Sequence, residues 1–334
     1  MNEPLAERVK AYPGSLTYLD LIRRNKRDST LIMIGMVLLG IVIGGAIALF
    51  LGVYAGQTDE DVFASMLLGA TAALVVGLIA AAWSWFGGAN AILAMSGAKP
   101  IEKVQDPELF NVVEEIAIAA GLPAPRVFLI PESAMNAFAT GRDPAHAAVA
   151  ITTGLRERLT RDELSGVMAH EMAHVRHYDI RFAMLMATMV GLIVFACDAS
   201  RRLVFHGGRA GRRPARGKNA GAGAIVLVVV ALLLAIVAPL VARFMQMAYS
   251  RRREYLADAG AVELTRYPEG LASALGKLAA DTAPLVEAAN RGTAHLFIVN
   301  PLRHMREAGQ ALDTVFSSHP PIHERIAKLL ALAR

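Results

Sequence analysis

The 334-residue sequence has one cysteine, Cys197, few aromatic residues (6%) and few charges. Charged side chains make up 19% of it, where a soluble domain carries about a quarter. A single cysteine excludes a disulfide framework and a metal centre built on thiolates. The shortage of charge, with 54% hydrophobic residues and a mean hydropathy of +0.41, excludes an ordinary soluble domain and points to a membrane protein. The net charge of +5 is small. Lys and Arg beside apolar runs account for it better than a nucleic-acid surface, so no nucleic-acid partner is expected.

Charge is missing in blocks. Residues 1–29 are polar and basic, with Arg8, Lys10, Arg23, Arg24, Lys26 and Arg27. Leu31–Tyr54 is almost wholly apolar, long enough to cross a bilayer and too long, after so long a polar lead, for a cleaved signal. Asp59, Glu60 and Asp61 follow, and then a second span, Phe63–Phe86, in which Trp83, Trp85 and Phe86 suit the headgroup level. The basic lead and the acidic loop put the N-terminus, and the chain after the second span, on the cytoplasmic side. A third apolar run, Phe182–Cys197, has 16 residues. A loop at 198–223 with seven basic residues comes next: Arg201, Arg202, Arg209, Arg212, Arg213, Arg216 and Lys218. Asn219–Ala242 is a fourth run of 24 uncharged residues. If the third run crosses, the basic loop lies outside, against the positive-inside rule; if runs three and four form a hairpin that does not cross, it stays inside. Charge alone leaves both open. No run holds the ionisable residues expected of a transporter.

The expected organisation is a cytoplasmic segment 1–29, two transmembrane helices in 30–88, a first soluble part 89–181, a hydrophobic hairpin 182–244 and a second soluble part 245–334. In the first soluble part, Asp106–Ala120 has helical periodicity and ends at Gly121. Arg126–Ile130 reads as a strand, Asn136–Gly141 as extended chain, and His146–Leu155 as a second strand. Thr160 with Glu163 three residues on is a capping box that starts a helix. In the second part, Tyr267–Ala280 reads as a helix, His295–Val299 as a strand, Ser317–Pro321 as a rigid loop and Ile322–Leu332 as an amphipathic helix.

The helix that Thr160 begins carries His170-Glu171-Met172-Ala173-His174. Residues four apart share a helix face, so both imidazoles can turn to one cation, with Glu171 beside them to poise a water. A catalytic zinc takes a third protein ligand. Glu254 and Asp258, one turn apart after the fourth run, suit the roles of ligand and of hydrogen-bond partner to a ligand histidine. The metzincin pattern is excluded, because His177 and Ile180 stand where it needs Gly and His. His177 is a further ligand or, more in keeping with its position, a residue that supports a ligand or the fold. His146, His206, His295, His304 and His323 have no spacing that suggests a role.

These motifs resemble the HtpX-type family of membrane zinc metallopeptidases, in the gluzincin group. The matching pieces are Asn136-Ala137-Phe138-Ala139-Thr140-Gly141, the His-Glu-x-x-His segment with Asp179, Arg253-Glu254 with Ala257-Asp258, and His319-Pro320-Pro321 followed by Arg325-Ile326. The long arginine-rich loop 201–218 departs from the family pattern. The resemblance implies an α-helical integral membrane protein with a cytoplasmic α+β zincin protease domain. It implies one Zn2+ per chain on His170, His174 and Glu254, with Glu171 as general base and Asp258 and Asp179 behind the ligands. His319 is then a gating residue or an auxiliary ligand, Arg325 a transition-state or structural residue, and residues 136–141 a strand that pairs with substrate.

The expected activity is that of a multi-pass endopeptidase of a bacterial inner membrane, its active site cytoplasmic, its partners the bilayer and misfolded or damaged membrane proteins. A prenyl-protein peptidase of the CAAX type and an inactive membrane scaffold are the rivals. Four apolar runs are few for a closed intramembrane chamber, and a complete ligand set with Glu171 argues against a scaffold. Cleavage specificity, natural substrates and oligomeric state are not legible in the sequence.

Overall fold

The structure, a computed structural model, describes residues 18–54, 57–207, 253–281 and 320–332. The expected fourth run, the basic loop beyond residue 207, the strand His295–Val299 and His319 lie outside the described residues.

Two long helices open the chain, α1 (Tyr18–Tyr54) and α2 (Asp59–Met95). Thr58 starts α2, its hydroxyl accepting from the Asp61 N–H at 3.3 Å. Each holds a stretch long and apolar enough to cross a membrane, Met33–Val53 in α1 and Glu60–Met95 in α2. They pack closely through small residues: a Cβ on Gly44 would collide with Ala73 and with the Gly69 carbonyl.

After a two-residue strand, β1 (Lys99–Pro100), comes α3 (Pro107–Ala120). Asp106 caps it, accepting from Leu109 N at 3.1 Å, and Gly121 closes it with φ 67°. The strands β2 (Arg126–Ile130), β3 (Ala137–Thr140) and β4 (Ala148–Thr152) follow. The expected strand His146–Leu155 is trimmed at both ends by local hydrogen bonds. Asp143 caps a single turn at Pro144–His146, and Thr152 caps the short α4 (Thr153–Arg158). The sheet order is β1-β2-β4-β3, with β2 and β4 parallel and β3 antiparallel to β4.

The strands read as continuous apolar runs because both faces are covered. Val127, Ala137, Ala139, Val149 and Ile151 pack with α3 residues such as Leu109 and Val113. Phe128, Ile130, Phe138, Ala148 and Ala150 pack on Ile92 and Leu93 at the end of α2. The sheet is thus seated directly on the membrane helices.

The helix α5 (Arg161–Arg176) lies on the first of these faces. Its capping box is complete: Thr160 N donates to Glu163 Oε2 at 2.8 Å, and Glu163 N to Thr160 Oγ1 at 3.4 Å. Tyr178, with φ 62°, breaks the chain between α5 and α6 (Asp179–Gly207). α6 supplies the third stretch able to cross a membrane, Asp179–Ala199. It packs Phe182, Met186, Met189 and Ile193 against Met36 and Ile43 of α1. Thr188 Oγ1 donates to Ser84 Oγ of α2 at 2.9 Å. The expected loop from residue 198 is helical as far as Gly207, since Asp198, Arg201 and Arg202 are charged without being helix breakers.

Residues 253–265 form a helix, α7. It is followed by α8 (Pro268–Ala280) and α9 (Ile322–Leu332). α8 locks the N-terminal half of α5. Glu163 accepts from Ser273 Oγ at 2.7 Å and Lys277 Nζ at 2.6 Å. A Cβ on Gly166 would lie 2.6 Å from Leu271 N, so only glycine lets the two helices approach this far.

Candidate active site

His170 and His174 leave α5 from one face, one turn apart. Their rings meet edge to face, 4.8 Å between centroids, and their Nε2 atoms are 3.2 Å apart. Glu254 reaches in from α7, with carboxylate oxygens 3.6 Å from His170 Nε2 and 3.5 Å from His174 Nε2. Ligands on a tetrahedral zinc with bonds of about 2.0–2.1 Å stand roughly 3.3–3.4 Å apart. The three side chains therefore have the separations of ligands that share one ion. Among the described residues they are the group placed to hold a metal, with ligand atoms within 4.8 Å of one another.

Each imidazole is set by its other nitrogen. His170 Nδ1 is 3.0 Å from Asp258 Oδ1, and His174 Nδ1 is 2.9 Å from Asp179 Oδ2. A carboxylate only accepts, so both Nδ1 atoms carry the proton and both Nε2 lone pairs face the common centre. Each carboxylate is in turn held by an arginine. Arg253 Nη1 lies 2.5 Å from Asp179 Oδ1. Arg325, from α9, grips Asp258 through Nε and Nη2 at 2.9 and 2.7 Å, and its Nη1 is 3.1 Å from Glu254 Oε2.

Charge explains why such a cluster calls for a cation. Glu171, Asp179, Glu254 and Asp258 are all buried, as are Arg253 and Arg325. Four carboxylates less two guanidiniums leave two negative charges, the charge one divalent ion cancels. Isolated buried charge is costly, so without such an ion the histidines hold protons instead. Burial opposes a charged His174, but the hydrogen bond to Asp179 and the nearby Glu254 outweigh it and push its pKa up to about 10. His170 is raised in the same way, burial being overcome by Asp258 and Glu254. Burial works to raise Asp258 too, yet the charge of Arg325 and the bond from His170 hold it below the ordinary carboxylate range.

Glu171 is 3% exposed. Burial raises its pKa, against the pull of His170 and His174, and the Ala139 backbone N–H hydrogen-bonds to it. β3 therefore runs beside Glu171. β3 is an edge strand whose outer side pairs with no strand among the described residues, and that side runs past Glu171. Asn136 stands just before β3; its N–H donates to Thr152 Oγ1 at 2.9 Å. Gly141 ends the segment with φ 147°, and a Cβ there would lie 2.6 Å from the His146 carbonyl oxygen.

His170, Glu171, His174, Glu254, Asp258, Asp179 and Arg325 thus come together. Arg325 is fully buried and engaged with Asp258 and Glu254; of the two roles expected for it, the contacts fit the structural one. His177 closes α5 outside the metal-holding group, and burial pushes its pKa down to about 4. His146 and His323 are exposed. Arg253 belongs to the motif Arg253-Glu254, but the sequence assigns it no role; the structure shows it paired with Asp179. Its neighbour Glu254 drew attention, but nothing local says which arginine of Arg251–Arg253 turns toward Asp179.

With this geometry in view, the likeness to known proteins is specific. Residues 103–333 match Peptidase family M48. The chain is 40% identical over 309 residues to the "Protease HtpX homolog" of Ligilactobacillus salivarius, covering 92% of this chain and 97% of that one. It is 42% identical over 316 residues to the homolog from Levilactobacillus brevis, covering 93% and 98%. A crystal structure of S. mikatae Ste24p aligns with a TM-score of 0.47 at 21% identity, over 77% of this chain and 57% of that one, too distant a likeness to carry an argument.

Proposed function

The chain belongs to peptidase family M48, and on that premise we propose that it is a zinc endopeptidase acting on misfolded or damaged membrane proteins at the cytoplasmic face of a bacterial inner membrane. Membership makes it a membrane-bound metalloprotease of a family that is zinc-dependent in general. The observation that carries the finer reading is the triad itself. His170, His174 and Glu254 have zinc-ligand separations inside a buried cluster that lacks two positive charges.

One Zn2+ held by that triad would supply Lewis acidity, enough to bring the pKa of a water to about 7. The protein's own residues do the rest. Glu171, buried and with a raised pKa, accepts the proton of the attacking water and returns it to the leaving nitrogen. Asp258 and Asp179 hold the two imidazoles in one tautomer, so nothing reorganises during the reaction. The outer edge of β3, Ala137–Thr140, which pairs with no strand among the described residues, takes substrate as an added strand through main-chain hydrogen bonds. Only extended segments can pair in that way, which favours unfolded substrates.

Charge supports the cytoplasmic side. Arg23 and Arg27 are exposed on α1 before its apolar stretch begins at Met33. The acidic residues Asp59, Glu60 and Asp61 lie at the other end of the α1–α2 pair. By the positive-inside rule the basic end is cytoplasmic. The sheet, carried on the far end of α2, shares that side.

The test uses full-length protein, wild type beside Glu171→Gln. Both are expected to carry zinc, and cleavage of an unfolded membrane protein is expected to fall by about 10²–10⁴-fold or more in the variant. Proteolysis retained by Glu171→Gln removes Glu171 from the mechanism. Wild type active without zinc removes the metal.

A further inference from the structure

We propose that Arg142 and Arg181 form a binding site for the phosphate of an anionic phospholipid, at the membrane edge of the active site. The level of this pair in the bilayer follows from α2. Its apolar stretch from Val62 to Trp83 rises about 30 Å, the thickness of the hydrocarbon core. Acidic residues mark the start of that stretch, and Trp83, Trp85 and Phe86 mark its end. Trp83 and Phe86 are 58% and 75% exposed, as side chains of an interfacial aromatic belt are.

Both arginines stand against this belt. The Arg181 guanidinium carbon is 4.7 Å from the centre of the Trp85 ring and 4.8 Å from that of Tyr178. The Arg142 carbon is 5.9 Å from the centre of Phe86. The two residues are joined, Arg181 Nε donating to the Arg142 carbonyl at 2.6 Å. Among the described residues Arg181 has no ion pair. Arg142 has a weak one, Nε to Asp143 Oδ2 at 3.6 Å, and its Nη2 is 2.7 Å from His146 Nε2. Arginine only donates, so His146 Nε2 accepts and the proton is on Nδ1. That Nδ1 and the His146 backbone N–H both donate to Asp143, at 2.7 and 2.9 Å. The Asp143 charge is thus shared among three donors. Two cations against one engaged carboxylate leave the cluster positive, with both guanidiniums already held beside aromatic rings. Arginine is suited to bidentate binding of phosphate, and the anions held at this level of a bacterial bilayer are lipid headgroups.

The placement gives the lipid leverage on the site. Arg142 follows Gly141 at the end of β3, the strand whose Ala139 N–H bonds to Glu171. Arg181 is in the first turn of α6, two residues after the Asp179 that holds His174. A phosphate shared by both guanidiniums fastens the edge strand to the start of α6.

The experiment is native mass spectrometry of the full-length protein in detergent with phosphatidylglycerol and phosphatidylcholine in equal parts. Wild type is expected to retain phosphatidylglycerol preferentially. Arg142→Gln and Arg181→Gln are each expected to cut that preference about five-fold, and the double variant about thirty-fold, with zinc content unchanged and each variant folded. No preference in wild type overturns the proposal whatever the variants do. So does a well-folded double variant that keeps the preference. Displacement of the lipid by inorganic phosphate at the lipid's own concentration shows a soluble-anion site instead, and also overturns it.

Discussion

Arg325 is the residue whose replacement separates a braced metal site from a merely adjacent one. Replaced by methionine, its volume is nearly kept while its charge and three polar contacts go: Asp258 through two nitrogens, at 2.9 and 2.7 Å, and Glu254 at 3.1 Å. Both acids are 5% exposed, so water cannot replace the guanidinium. Removing one partner of a buried ion pair costs about 3–5 kcal/mol. At roughly 2–4 °C per kcal/mol, Arg325→Met should melt about 6–20 °C below wild type when both are in chelator. Zinc acts in the opposite direction. The buried cluster of the variant is one charge more negative, so a dication compensates more there than in wild type. Adding zinc should therefore raise the melting temperature of the variant by more than it raises that of wild type, narrowing the gap. The assay is thermal melting of the two purified proteins with chelator and with zinc. A variant that melts with wild type in chelator refutes the counter-ion role. A gap that zinc leaves unchanged refutes the coupling between Arg325 and the metal.

Gly166→Ala places a methyl 2.6 Å from Leu271 N where α5 crosses α8; overpacking of this kind costs about 1–3 kcal/mol, and thermal melting should show the loss with zinc retained. Glu163 gives a pH signature. Burial raises its pKa, but the hydrogen bonds from Lys277 and Ser273 prevail and hold it below the usual carboxylate value. Its contribution to stability is then present above its unfolded pKa of about 4.3 and is lost as pH falls through the lower folded value. Melts across pH should find Glu163→Gln less stable than wild type at neutral pH and the difference shrinking in acid; a constant difference contradicts the assignment.

What could be read in advance from the sequence divides by the distance over which each interaction acts. The capping box of Thr160 and Glu163 lies within one turn, and it is present as expected. The helix Ile322–Leu332 has the bounds its pattern implies. The pairing of His170 with His174 is likewise a one-turn matter. A local signal misleads where it has two meanings. Asp198, Arg201 and Arg202 read as the start of a loop, because charge ends an apolar run, yet charge does not end a helix, and α6 continues to Gly207. β-propensity overextends the strand at His146–Leu155, because Asp143 and Thr152 each turn the chain by a side-chain bond that it does not record. β1 is two residues long and exists only by pairing with β2.

The candidate site follows the same division, with a consequence for how it is built. Its ligands are written in short motifs, but its charge balance is not. His170 takes its orientation from Asp258, which takes its charge compensation from Arg325, 155 positions from the histidine. His174 takes its orientation from Asp179, five positions on, and that in turn depends on Arg253. Each chain of dependence runs imidazole, carboxylate, guanidinium, and each ends on a different helix, α9 for one and α7 for the other. A substitution in either arginine replaces no candidate ligand, yet it changes the charge that a bound metal would cancel. The candidate metal site is therefore complete only when α7 and α9 have docked on α5, so binding an ion there and closing the fold around it would be one equilibrium.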